Sequence, residues 1–588
     1  MICQRWHEIM PYKDINTLRL NGFRNRDVDR KLSKEKPTKA EKLDAILTTI
    51  LPRFGHHLES VHIANFELSA YSMGLLQQYC DRVKTLHLQN FRFLSVDAAA
   101  KFPTSPETVI LNWVAFSSAQ EQAQTSVVVA KAIRKMPNLT NLHINRKPIE
   151  STPKSAYFRP RETVDADSLD LSGQQEIDFA ADLSEAYSTL KVLTINGPTT
   201  YHGFFDKTPA LTVLKICGAA NLTQNAMVSI SQGCPLLETL WLQQIDYVSP
   251  LAGPLFHLEH LKEARFTGSF TDDVLREFSK GGNLNACYID VPRISEPTLL
   301  TIMTMNKFLK ILHVGCGNQE LSGFFIKNII VQGQNLEQLG LKDSCYMRGS
   351  LEMFPTGHKR GLKRLTLEGM EIQSSAMEVL CSDCPELKEI EFKNCLIKDM
   401  SGSNLSTLAK LQEISVSQTC TPCDSMILEL AKAGSLKKFR AEQVRLNNDT
   451  LKRIACMNPG LSEVTLVSIG AFVGSMLEGL LQYGPSISRL SINTGKWNEV
   501  FQSILLHSHK GQLREATVTL GEGYDLMMFA FRRAAEKNAR KQLSLLRLRI
   551  KCPKELREQL MPMRKDILQM SNIYLLFENE ENGVFVGL

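Results

Sequence analysis

The chain has 588 residues, 43% hydrophobic and 22% charged, with a formal net charge of +6. That composition predicts a folded, soluble protein and excludes a long disordered tract. Its small basic excess falls in short loops, not in the concentrated patch of a nucleic-acid binder. No run of about 18 apolar residues offers a membrane span, and the opening MICQRWHEIM lacks the apolar core of about 7–15 residues that a secretion signal needs. Fourteen cysteines lie scattered along the chain, which predicts reduced thiols and a cytoplasmic or nuclear address.

In chain order, residues 1–12 stand apart, and residues 13–49 read as a linker with a first, irregular copy of a repeat. There Ile15, Leu18 and Leu20 weakly match L-x-x-L-x-L, and the charged stretch from Arg24 to Lys42 reads as an exposed loop or a helix start. From 50 to 550 the pattern recurs. Its first apolar position falls at Leu58, Val83, Leu139, Leu190, Leu211, Leu237, Leu261 and Leu284, with poor copies at Pro106 and Ala166. It continues at Leu309, Leu336, Leu362, Leu387, Leu411, Leu436, Leu461, Ile487, Leu513 and Leu543. Steps from Leu284 to Leu513 are all 24 to 27 residues, the mark of a stacked repeat.

Each copy reads as a short strand and a helix. In CSDCPELKEIEFKNCLIKD, Ile390 and Phe392 alternate as a strand requires. Pro385 ends the preceding helix because it lacks an N–H and clashes with a continuing turn. Ala376, Met377, Leu380, Cys381 and Cys384 form one apolar helical stripe, as do Leu75, Leu76, Tyr79 and Cys80. Neither element can bury its apolar face alone, so copies must stack. The predicted fold is α/β: a right-handed leucine-rich-repeat solenoid, or horseshoe, of about 20 repeats, with a parallel concave sheet and helices on the convex side. Residues 146–165 read as a surface insertion, and residues 551–588 as a C-terminal cap.

The residue between the two strand leucines points out of the sheet, and neighbouring strands lie about 4.8 Å apart. The central outward row therefore begins His62, His87, Ile110, His143, Asp170 and Thr194, and ends at Arg547. Its middle members Lys215, Trp241, Arg265, Tyr288 and His313 are predicted to form one patch and to contact a protein substrate, because Trp, Tyr and Arg dominate interface hot spots. The alternative is that Trp241 and Tyr288 pack on each other and on Arg265 through cation–π contact.

Other candidates have structural readings. His62, His87 and His143 could suggest zinc, but a row of parallel side chains does not converge as metal ligands must. Cys381-x-x-Cys384 and Cys420-x-x-Cys423 resemble ligand pairs, yet core positions favour thiols packed as small hydrophobes. Gly521-x-Gly523 lacks phosphate-loop spacing, and no nucleophile elbow or His-Glu-x-x-His occurs. The basic cluster around Arg532, Arg533 and Lys537 reads as a solvated face or, alternatively, a site for an acidic partner. Neither a catalytic residue nor a cofactor is predicted.

Repeats of about 26 residues, with Cys-Pro before the strand at Cys234-Pro235 and Cys384-Pro385, resemble the cysteine-containing leucine-rich repeats. The asparagine ladder of extracellular relatives is not expected. Ile2-Cys3-Gln4-Arg5-Trp6-His7-Glu8-Ile9 resembles the closing helix of an F-box, with Ile2, Cys3 and Trp6 as the adaptor-docking residues. The earlier helices of that module would precede Met1, so a truncated F-box is expected. The combined resemblance is to F-box/leucine-rich-repeat proteins. It implies a non-catalytic substrate-recognition subunit of an SCF-type cullin-RING ubiquitin ligase, partnered by a Skp-type adaptor, a cullin and a protein target, without nucleic acid or membrane. The alternative is a leucine-rich-repeat interaction scaffold with no ligase role.

Overall fold

The computed structural model describes residues 16–21, 38–113, 128–129, 131–133, 135–146, 189–197, 200–201, 205, 208–250, 258–317, 329, 332–343, 361–397, 405, 407–418, 423–467, 474–493, 513–519, 546–551 and 573–577. They fall in two compact units, Met1–Val291 and Pro292–Leu588. Both are mixed α/β, built on a parallel sheet.

The first unit contains β1 (Thr17–Asn21), β2 (Ser60–Ala64), β3 (Glu67–Leu68), β4 (Thr85–Phe93), β5 (Thr108–Trp113) and β6 (Asn141–Arg146). It continues with β7 (Val192–Asn196), β8 (Thr200–Tyr201), β9 (Val213–Leu222), β10 (Thr239–Val248), β11 (Glu263–Gly268) and β12 (Ala286–Val291). The long strands pair in parallel in chain order from β1 to β12, while β3 and β8 add short pairings to β4 and β9. Two of the apolar positions of each strand face inward. Leu86 and Leu88, Leu142 and Ile144, and Leu240 and Leu242 are all 0% exposed, each burial stabilising by about 1.5–3 kcal/mol.

The second unit contains β13 (Ile311–Cys316), β14 (Gln338–Asp343), β15 (Arg364–Glu368), β16 (Glu371–Ile372), β17 (Glu389–Lys393), β18 (Leu396–Ile397) and β19 (Glu413–Ser417). Then follow β20 (Lys438–Glu442), β21 (Glu463–Val467), β22 (Arg489–Asn493), β23 (Glu515–Thr519), β24 (Leu546–Lys551) and β25 (Ile573–Phe577). Its long strands again pair in parallel in chain order, and β16 pairs with β18 separately. β25 carries the ladder into the stretch expected to cap it.

Helices connect many strands, and their starts follow from capping chemistry. Thr38 opens Lys39–Phe54 with a capping box, its side chain accepting from the Glu41 N–H while Glu41 accepts from the Thr38 N–H. The helix therefore starts inside the charged stretch that could have been a loop. Ser69, Thr223 and Ser295 cap Ala70–Tyr79, Gln224–Gly233 and Glu296–Met305 in the same way at one donor each or more. Leu75, Leu76 and Cys80 are buried, as are Met377 and Cys381 of Ser374–Asp383, with Cys384 just beyond it. Among the described residues no helix is long and apolar enough to cross a membrane.

Two register expectations need correction. β6 pairs directly with β7, setting His143 opposite Thr194, so no strand carrying Asp170 stands between them. Asp170 itself lies outside the described residues. At the other end, Thr517 faces Arg549, not Arg547. Two closely spaced leucines allowed either phase, and a shift of two residues preserves the facing.

A third correction concerns asparagine. Asn90 donates its amide to the Asn65 side-chain oxygen at 3.2 Å, and Asn65 donates to that of Asn21 at 2.7 Å. A short asparagine ladder thus ties the first three long strands, with Asn21 ending β1, Asn65 just past β2 and Asn90 within β4.

Candidate recognition surface

The outward row of the first unit holds four of the five residues expected to form one patch. Register places Lys215 beside Trp241, Trp241 beside Arg265, and Arg265 beside Tyr288 on β9 to β12. Leu240 and Leu242 flank Trp241 and are sealed in the core, so alternation turns the indole outward. It is half-buried. The Lys215 ammonium nitrogen lies 3.4 Å from the indole centroid, and the Arg265 guanidinium carbon 4.4 Å from it. Arg265 also lies 4.2 Å from the Tyr288 ring centroid. The four side chains form an alternating cation–aromatic stack, each contact being worth about 0.5–2 kcal/mol.

Of the packing alternative, the cation–π contacts of both rings with Arg265 are found, while Arg265 stands between Trp241 and Tyr288. His313, the fifth residue, belongs to the second unit. There it stands opposite Gly340 on β14. Ile2, Cys3 and Trp6 lie outside the described residues, as does the cluster around Arg532.

Rows flanking the central one supply contacts that the one-row reading missed. Glu263 accepts a 3.0 Å hydrogen bond from the Trp241 indole N–H and approaches Arg265 at 3.9 Å. It sits two residues before Arg265 on the same strand, and extending the alternation rule by one pair would have found it. On the other side, Asn145 donates to the Asn112 side-chain oxygen, and the Asn112 amide lies 3.2 Å from His87 Nε2. Gln89 meets His62 Nε2 at 3.3 Å, and the Cys217 thiol donates to Gln243 at 3.3 Å.

His62 and His87 stack with centroids 4.2 Å apart and planes 5° from parallel. Burial, reinforced by repulsion from His62, pushes the His87 imidazole down from 6.5 to about 4. It is neutral at ordinary pH and accepts from Asn112. His143 also titrates low, through burial first and the Lys215 charge second. Among the described residues no group of three or more His, Cys, Asp or Glu side chains could hold a metal ion.

The second unit's outward face is built differently. Arg364 pairs with Glu389 at 2.8 Å, Lys393 with Glu391 at 3.1 Å, and Arg440 with Glu442 at 2.8 Å. Lys438–Glu413, Arg489–Glu463 and Lys342–Glu368 follow at 3.6 to 3.8 Å. These charges neutralise one another both along a strand, as in Lys393–Glu391 and Arg440–Glu442, and across strands in the other four pairs.

The cysteines sit inside. Cys80, Cys287, Cys381, Cys384, Cys395 and Cys423 are buried, with Cys456 exposed. Burial pushes the thiols of Cys80, Cys287 and Cys381 up to about 12 and that of Cys395 up to about 11. Such thiols pack as small hydrophobes; Cys420 lies outside the described residues. No family model matches the chain, and no curated protein does.

Proposed function

We propose that the chain is a non-catalytic recognition protein, a right-handed leucine-rich-repeat solenoid of about 20 repeats that grips a protein target on its concave strand face. In this reading it serves as the substrate-recognition subunit of an SCF-type cullin-RING ubiquitin ligase in the cytoplasm or nucleus. Its Ile2–Ile9 stretch belongs to a module that holds a Skp-type adaptor and, through it, a cullin. The ligase chemistry resides in the partners. This chain raises the local concentration of target lysines near the loaded enzyme and supplies no acid, base or nucleophile.

One observation carries the reading: in-register parallel strands seal every second side chain in the core and present the others as a continuous half-buried row. In the first unit that row holds Arg19, Trp241, Arg265 and Tyr288, of the residue types that interfaces favour. Residue spacing and the Cys-Pro pairs support the repeat class.

The test is affinity purification of the tagged protein, translated from its full transcript, followed by quantitation of the Skp-type adaptor and a cullin. Their recovery supports the receptor. A stable protein partner recovered without either leaves the interaction scaffold instead.

A further inference from the structure

We propose that the Lys215–Trp241–Arg265–Tyr288 stack receives an extended acidic segment of the target protein, with acidic side chains two residues apart. The inference rests on the recognition reading above and adds the chemistry of what is recognised.

The stack fills both faces of the Trp241 ring and covers one face of Tyr288. Trp241 stands between the strands that carry Lys215 and Arg265, with the two cations 3.4 and 4.4 Å from its centroid. Arg265 also covers the Tyr288 ring at 4.2 Å. What remains for a partner is the cationic heads and the ring edges, and ring edges carry the positive end of the aromatic quadrupole. Both attract anions. Glu263, a carboxylate in contact with this group, is already engaged by the Trp241 N–H at 3.0 Å and lies 3.9 Å from Arg265. No ion pair reaches Lys215 among the described residues.

The positive field extends along the sheet. The Lys215 charge acts on His143, and Lys215 and Arg265 together pull the Cys217 thiol down against its burial. No acidic residue occupies the described central row of this unit from Arg19 to Tyr288. That row differs from the self-neutralised face of the second unit.

Spacing selects an extended acidic segment. Lys215 and Arg265 lie two strands apart, with their heads on opposite faces of one indole. An extended chain presents the same face every ~6.8 Å, a repeat that sets one acid by each cation. Amides flank the row at Asn145 and Gln243, and exposed Asn196 adds another, offering donors and acceptors to the segment's backbone. Single-stranded nucleic acid fits less well, because its bases need open ring faces and both faces of Trp241 are already filled.

The test is fluorescence anisotropy on the full chain with a fluorescein-labelled peptide alternating Glu and Ser. It is expected to bind at least about tenfold tighter than the Gln/Ser peptide, one pairing energy of about 1.4 kcal/mol, and to weaken as salt rises. Lys215→Gln and Arg265→Gln are each expected to lower affinity about tenfold. Lys262→Gln is expected to change nothing, since Lys262 is already paired with Glu238 at 2.7 Å. Because Arg265 also packs two rings, Lys215→Gln decides the matter, with unfolding curves run alongside. Equal binding of the neutral peptide overturns the proposal, as does an equal loss from Lys262→Gln. So does tighter binding, through the same two cations, of a poly-uridine oligonucleotide or a singly phosphorylated neutral peptide. Failure here with adaptor and cullin still recovered removes only this inference; peptide binding without them keeps it on a scaffold.

Discussion

Asn458 is fully buried, and its side chain serves three backbone groups at 3.0 Å: it accepts from the Leu436 N–H and donates to the Ala431 and Ile454 carbonyls. It precedes Pro459 as Cys234 precedes Pro235, but the Cys234 thiol reaches the Phe205 carbonyl only at 3.7 Å. Asn458→Ala orphans the buried Leu436 N–H, while the Ala431 and Ile454 carbonyls keep backbone donors, and is expected to destabilise by about 1–3 kcal/mol, with Asn458→Cys intermediate. Urea unfolding of the two variants checks this. At Gly340 an added Cβ would lie 2.0 Å from His313 Nδ1, so Gly340→Ala is expected to turn His313 aside, visible as shifted imidazole resonances. His87, pushed down to about 4 from 6.5 by burial and then by His62, gives a pH signature. Between those values the unfolded chain binds a proton that the folded chain refuses. Its contribution is complete above about 6.5 and is lost as the pH falls toward 4. His87→Gln is expected to flatten stability against pH in that window; a His87 resonance titrating near 6.5 would contradict this.

Many copies contain a left-handed corner that the residue spacing did not reveal. Seven residues after the first apolar position of a copy, the chain turns left-handed: at Asn65, Gly197, Gly268, Gly369, Asn394, Gln418 and Gln443, among others. The N–H of this residue bonds the next strand's last carbonyl, as from Asn394 to Ser417 and from Gln418 to Glu442, both at 2.8 Å. Strands were legible because Leu, Ile and Val alternate. The corner was not, because Gln is no signal for a positive φ, whereas Gly and Asn are. Gln418, at φ 54°, is therefore a place to gain. Gln418→Gly is expected to stabilise by about 0.5–1 kcal/mol. Gly268 has φ 113°, and a Cβ there would lie 2.1 Å from the Ile245 carbonyl oxygen. Gly268→Ala is expected to cost at least about 2 kcal/mol, since the clash is with backbone that cannot yield. Thermal unfolding of both variants checks the opposite signs. The central site row was also legible from alternation. The filling of the Trp241 faces was not, because it depends on side-chain torsions that no pattern encodes.

For the molecule as a whole, two kinds of strand face follow from two kinds of sequence. Glu–Lys and Glu–Arg pairs recur on the second unit's face, while the first unit presents cations, amides and ring edges, the groups that the proposed acidic segment would meet. The core cysteines act at the same scale. With thiols pushed up to about 12, Cys80, Cys287 and Cys381 are expected to resist iodoacetamide in the folded protein, while exposed Cys456 is expected to react. Mass spectrometry before and after denaturation would show it. The most direct measurement of the central claim compares the proteins retained by the wild-type chain with those retained by a Lys215→Glu, Trp241→Ala variant of matched stability. Loss of target proteins with unchanged adaptor and cullin is the predicted result. An unchanged set of targets, or their loss only when Glu391 and Arg440 of the ion-paired face are replaced, would contradict it.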